Sequence, residues 1–136
     1  MKRKATAVWK GNLKEGKGTL STESGVLDAT QYSFKTRFED GKGTNPEELI
    51  GAAHSGCFSM QLSAFLAEEG FTADKLETKS EITFENGEIS KSHLILEAAV
   101  PNIEKGKFEE LVKKAKENCP VSKLLKTEIT VSSTLK

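Results

Sequence analysis

The chain has only two cysteines, Cys57 and Cys119, three prolines and a single tryptophan, and no apolar run in it approaches the length of a membrane span. Two thiols are too few for a disulfide framework. The opening stretch, MKRKATAVWKGNLKEGKG, is basic but lacks the apolar core of a secretory leader. The expected compartment is therefore cytoplasmic, where the thiols stay reduced and form either a transient redox pair or two unrelated groups. An excess of charge is also missing: Lys plus Arg and Asp plus Glu both number 20. That balance argues against a nucleic-acid groove and against an anionic membrane surface as partner. There is no internal repeat, low-complexity stretch or interdomain linker, so residues 1–136 are expected to form one domain, long enough to bury a real core.

Period-two patterning dominates the first 35 residues. Ala5, Ala7 and Trp9 would share one strand face, a second strand would run through Thr19, Leu20 and Ser21, and a third through Tyr32, Phe34 and Thr36, with Arg37 near its end. Between Glu39 and Pro46 the residues are those of turns, and Asn45 followed by Pro46 is suited to start a helix. From Pro46 to about Glu69 the apolar residues recur at steps of three and four, as one long helix requires. Its middle, GAAHSG, is rich in small residues whose two glycines would cost an isolated helix about 1 kcal/mol each. Burial on more than one face against a closely packed backbone would compensate. Two β-rich stretches, 75–84 and 89–100, flank the hairpin dipeptide Asn86-Gly87. An amphipathic helix with Phe108, Leu111, Val112 and Ala115 on its apolar stripe then ends at Cys119-Pro120. A short helical turn over 121–125 and a strand over 127–134 complete the chain.

Each residue that could carry chemistry also has a bland reading. Cys57 fits the small buried hydrophobe that free cysteine often is. Small neighbours that could admit a substrate, and a second cysteine further along, give it a reactive alternative. Cys119, at a helix C-terminus where the dipole disfavours a thiolate, would be the poorer nucleophile and suits a resolving role. Arg37 would by default be solvated, and glutamates in a first helical turn serve the macrodipole or the cap. With Asn45 as cap, Glu48 occupies the N3 position and is explained by capping. Glu47 is then the acid without a structural task, ten positions and about 80° of helical rotation from Cys57. His54 and Cys57 share a helix face and could begin a metal site, but no further ligands stand at a recognised spacing; a hydrogen-bonded, partly buried histidine is the competing reading.

The stretch Thr36-Arg37-Phe38-Glu39, followed by GTNPEELIGAAHSGCFSM over 43–60, resembles the osmotically inducible protein C (OsmC) and organic hydroperoxide resistance family. GKGTLSTESGV over 16–26, NCPVS over 118–122 and TEIT over 127–130 are similar to its OsmC branch in particular. The resemblance runs nearly end to end. It implies an α+β, OsmC-like fold in an intertwined homodimer, with long central cysteine-bearing helices packed against antiparallel sheets. It further implies a peroxidase without metal, flavin or other cofactor, acting on organic hydroperoxides and less efficiently on hydrogen peroxide. In that reading Cys57 is the reactive cysteine, Cys119 resolves its sulfenic acid to a disulfide, Arg37 and Glu47 are the catalytic arginine and glutamate, and an external dithiol restores the reduced pair. Two rivals from other classes remain at this stage: a dimeric module that binds an apolar ligand without catalysis, and a metalloprotein built on His54 and Cys57.

Overall fold

All residues, 1–136, are described by the computed structural model, and they fall into two units, Met1–Leu49 and Ile50–Lys136. In the first, strands β1 (Ala5–Lys10), β2 (Lys17–Thr22) and β3 (Thr30–Tyr32) form an antiparallel sheet in that order. Trp9 and Tyr32 stand opposite Gly18 from the two neighbouring strands. Their rings approach to 5.4 Å between centroids, and they do so across the glycine. A Cβ at position 18 would lie 2.4 Å from the Tyr32 ring and 2.6 Å from that of Trp9. Absence of a side chain there is what lets the two aromatics meet.

The third strand is shorter than its alternating pattern implies. It stops at Tyr32, and helix α1 (Phe34–Phe38) replaces the expected continuation, so Arg37 stands on a helix and not at a strand end. The reason is a reciprocal cap: Ser33 Oγ accepts from the Thr36 N–H, and Thr36 Oγ1 accepts from the Ser33 N–H. Helical spacing then brings the Phe34 and Phe38 rings to 4.8 Å, a pair that a strand would have kept well apart. Alternation over three residues is simply too short a signal to exclude a helix.

Helix α2 (Pro46–Glu68) starts as expected, with the Asn45 side chain accepting from the Glu48 N–H at 2.8 Å. In the second unit, β4 (Lys75–Glu85) and β5 (Glu88–Ala99) form a hairpin whose turn residues Asn86 and Gly87 both have positive φ, 52° and 79°. The chain then passes through α3 (Lys105–Asn118) and α4 (Pro120–Leu124) before β6 (Glu128–Leu135) joins β5 in parallel. This sheet is therefore mixed, not wholly antiparallel, because a helical crossover returns β6 in the direction of β5.

The core of this unit joins Phe58, Leu62 and Leu66 of α2 to Leu94, Leu96 and Ala98 of β5 and to Phe108, Leu111, Val112 and Ala115 of α3, the four residues of the expected stripe. On α2 the buried positions are Gly51, His54, Phe58, Leu62 and Leu66, spaced by three or four residues. The opposite side, with Ala52, Ala53, Gly56, Met60, Ala64 and Ala67, is exposed. Within one chain the helix thus buries a single face. Gly51 does lie against β4, where an added Cβ would stand 3.4 Å from the Ser80 carbonyl oxygen, but Gly56 faces open space.

Candidate active site

Cys57 lies on α2, half-buried, on the side of the helix that meets the core. Cys119 is fully buried at the junction of α3 and α4. Its backbone is extended, with φ −59° and ψ 127°, as a residue before proline requires, and Pro120 opens the next helix immediately. Cys119 consequently ends one helix and begins another, so the single unfavourable dipole expected at a helix C-terminus is not its whole environment. The two thiols are reduced, and the Cys119 thiol donates to Cys57 Sγ at 2.9 Å. Residues 62 positions apart in sequence are thereby in direct sulfur contact.

Burial pushes the Cys57 thiol up from its ordinary value, and the adjoining Cys119 thiol pushes in the same direction. Against them acts a hydrogen bond from the backbone N–H of Val121, which favours the thiolate.

His54, one helical turn before Cys57, is completely buried, and both of its ring nitrogens are engaged. Nδ1 pairs with Ser92 Oγ on β5 at 2.6 Å and Nε2 with Ser122 Oγ on α4 at 2.8 Å; Ser92 Oγ in turn meets Ser80 Oγ on β4 at 3.1 Å. Burial lowers its pKa, which favours the neutral ring that this arrangement uses. The hydrogen-bonded reading of His54 is the observed one. No group of three or more His, Cys, Asp or Glu side chains is placed to hold a metal ion.

In the first unit, Arg37 and Glu47 form an ion pair in which Nε and Nη2 approach the same oxygen, Oε1, at 2.9 and 2.8 Å. Asn45 sets up this meeting. Its amide nitrogen donates to the Thr36 carbonyl at the end of α1 while its oxygen caps α2, so one residue fixes the elements that carry both partners. Glu48, as its N3 position implies, is occupied at the cap and accepts from Thr44 Oγ1 at 2.6 Å. Glu47 Oε2 is buried and has no hydrogen-bond partner within the chain, an acceptor left without a donor. Beside the pair is a cleft of about 290 Å³ lined by Trp9, Leu13, Tyr32, Phe34, Arg37 and Phe38, among others.

The two expected pairs, Cys57 with Cys119 and Arg37 with Glu47, are each brought together, one in each unit. The sequence reading missed the Val121 N–H that acts on Cys57, and Ser92 and Ser122, which hold the His54 ring one helical turn away. Only Ser122 had a local signal, its place directly after Cys-Pro-Val in NCPVS. It also missed the aromatic cleft. Phe58, next to Cys57, is a core residue, and Met60 is exposed.

Comparison with known proteins identifies relatives along the length of the chain. A family profile described as OsmC-like protein matches residues 39–134. Peroxiredoxin OsmC of Escherichia coli (strain K12) is 51% identical over 138 residues, covering 98% of this chain and 96% of that protein. Organic hydroperoxide resistance protein OhrB of Bacillus subtilis (strain 168) is 29% identical over 122 residues, covering 88% and 89%. Among solved structures, an OsmC-like protein from Mycoplasma pneumoniae superposes with a TM-score of 0.77 at 18% identity, covering 99% of this chain and 97% of that one. At that identity the likeness speaks for the fold alone. Taken with the matched profile and the 51% identical relative, it leads to one conclusion: the chain belongs to the OsmC-like family.

Proposed function

We propose that this protein is a thiol peroxidase that reduces organic hydroperoxides to alcohols, with Cys57 as nucleophile and Cys119 as resolving thiol. The observation that carries the reading is the 2.9 Å contact between the two sulfurs, in a chain half identical to a protein named a peroxiredoxin. Cys57 Sγ attacks the terminal peroxide oxygen; the O–O bond breaks, the alcohol leaves, and Cys57 becomes a sulfenic acid. The Cys119 sulfur then displaces hydroxide from Cys57 as water, closing the disulfide and sparing the irreversible sulfinic step. An external dithiol returns both thiols.

Because burial holds the Cys57 thiol up, reaction at neutral pH needs a cation to offset that cost. Arg37 is assigned this role, together with donation to the oxygen that becomes anionic as the peroxide splits. Glu47 fixes the guanidinium through the ion pair, and its unpartnered Oε2 is available to accept the hydroperoxide proton. The aromatic cleft beside Arg37 suits an alkyl or aryl group better than it suits hydrogen peroxide. The exposed small-residue face of α2 is read as the surface that a second copy covers, so residues 1–136 work as one domain within a homodimer. We place it in the cytoplasm, where dithiol reductants operate; no helix is long and apolar enough to cross a membrane.

The test is mass spectrometry after one equivalent of cumene hydroperoxide, alongside second-order rates for cumene hydroperoxide and hydrogen peroxide. A bridge between Cys57 and Cys119 within one chain, and a faster reaction with the organic peroxide, are expected. Peroxidase activity that survives Cys57→Ser would overturn the assignment.

A further inference from the structure

The elements that hold Cys119 in place converge on one face of α2, and the hydrogen bonds reveal how. The segment 119–122 meets that face at three points: the Cys119 thiol and the Val121 N–H both reach Cys57 Sγ, and Ser122 Oγ reaches His54 Nε2. His54 and Cys57 are three residues apart and so lie on the same side of the helix. Of the three contacts, the two made to sulfur must change when Cys57 is oxidised, because that sulfur acquires an oxygen and then a new bond. The bond between His54 and Ser122 involves neither thiol. It is also anchored from behind, since Nδ1 of the same ring is held by Ser92, itself buried and paired with Ser80.

We infer that His54 and Ser122 are positioning residues for the resolving step, a tether that keeps α4, and with it Cys119, against Cys57 while the sulfenic acid exists. This rests on the peroxidase reading above and adds residues that touch neither substrate nor sulfur. The step they serve is balanced: Cys57 S–OH and Cys119 S–H give the S–S bond and one water, the S–O bond breaks, and the thiol proton leaves with the hydroxyl. No further reactant is required. Removing the tether releases α4 in that interval and slows closure of the bridge, while the first attack on peroxide, which depends on Cys57, proceeds as before.

The experiment is stopped-flow oxidation of the full-length reduced protein with cumene hydroperoxide, with sulfenic acid trapped by a dimedone probe and the disulfide quantified over time. Ser122→Ala should slow disulfide formation about ten-fold, equivalent to about 1.4 kcal/mol, with the rate of sulfenic acid formation unchanged. Ser122→Thr, which keeps the hydroxyl, should restore the rate. His54→Asn, whose shorter amide reaches Ser92 but not Ser122, should reproduce the slowing and serves if Ser122→Ala folds poorly. Ser92→Ala also disturbs a buried polar pair but leaves the link to α4, so resolution should stay within about three-fold of normal. Equal slowing of both steps, equal slowing by Ser92→Ala and Ser122→Ala, or normal resolution in Ser122→Ala and His54→Asn would each overturn the tether while leaving the peroxidase reading intact. Failure of the unaltered protein to form the bridge at all would instead refute that reading, and the tether with it.

Discussion

Oxidation of the cysteine pair should make the protein more resistant to heat, by an amount set by the chain between the two sulfurs. A bridge from Cys57 to Cys119 spans 62 positions, and closing a loop of that length removes about 14 cal/mol/K of entropy from the unfolded chain, or about 4 kcal/mol at 25 °C. The folded state offers little resistance, because the sulfurs already stand 2.9 Å apart and need move only about 1 Å to reach bonding distance. At about 2.1 cal/mol/K per residue, unfolding 136 residues releases about 290 cal/mol/K, so 4 kcal/mol corresponds to a rise in melting temperature of about 14 °C. Differential scanning calorimetry of the reduced protein and of the protein treated with one equivalent of hydroperoxide, at equal concentration, measures this directly. Excess dithiol should reverse the shift, and the Cys57→Ser, Cys119→Ser double variant should show none. Suppose peptide mapping confirms the bridge and the melting temperature nevertheless stays level or falls. Then the folded chain pays as much to hold the bridge as the unfolded chain loses, and the claim that the native structure is ready for it is wrong.

Four other outcomes are expected. Arg37→Lys keeps the charge but loses the guanidinium fork, and should lower the second-order rate with cumene hydroperoxide about 100-fold and move the pH–rate profile of Cys57 toward alkaline pH; an unchanged profile removes Arg37 from the site. Leu62→Ala, at a fully buried position of α2, should cost about 2–5 kcal/mol in urea unfolding, and a loss below 1 kcal/mol would show that the core relaxes around it. His54 has a lowered pKa in the fold, so the stability it contributes is complete above the unfolded value of about 6.5 and is lost as pH falls through that value toward the folded one. Urea midpoints between pH 7.5 and 5 should thus decline more steeply for the unaltered protein than for His54→Asn, and parallel declines would exclude the histidine as the cause. Met60→Glu, on the exposed side of α2, should convert the proposed dimer to monomer in sedimentation equilibrium, whereas a dimer of unchanged affinity would place the interface elsewhere.

Much of this architecture is legible locally. Asn45-Pro46 starts α2, Asn86-Gly87 makes the hairpin, and the stripe of Phe108, Leu111, Val112 and Ala115 faces the core, because each signal acts through backbone geometry or periodicity within a few residues. Where two local codes compete, the reading falters. Tyr32, Phe34 and Thr36 alternate like a strand, yet the reciprocal cap between Ser33 and Thr36 turns the segment into α1. At the site, the family motifs singled out Cys57, Cys119, Arg37 and Glu47, but nothing in a linear sequence measures a distance.

By itself, then, the sequence determined which residues have the chemistry, two thiols, an arginine and a spare glutamate, and that a long helix with a small-residue middle carries one of the thiols. Only the tertiary structure decided who meets whom. It put Cys119 against Cys57, paired His54 with serines 38 and 68 positions away, and gathered Trp9, Tyr32 and Phe38 around one cleft. The physical reason is that reactivity and hydrogen-bonding capacity belong to single side chains, whereas burial, sulfur contact and satisfaction of a buried imidazole depend on packing between segments far apart in the chain.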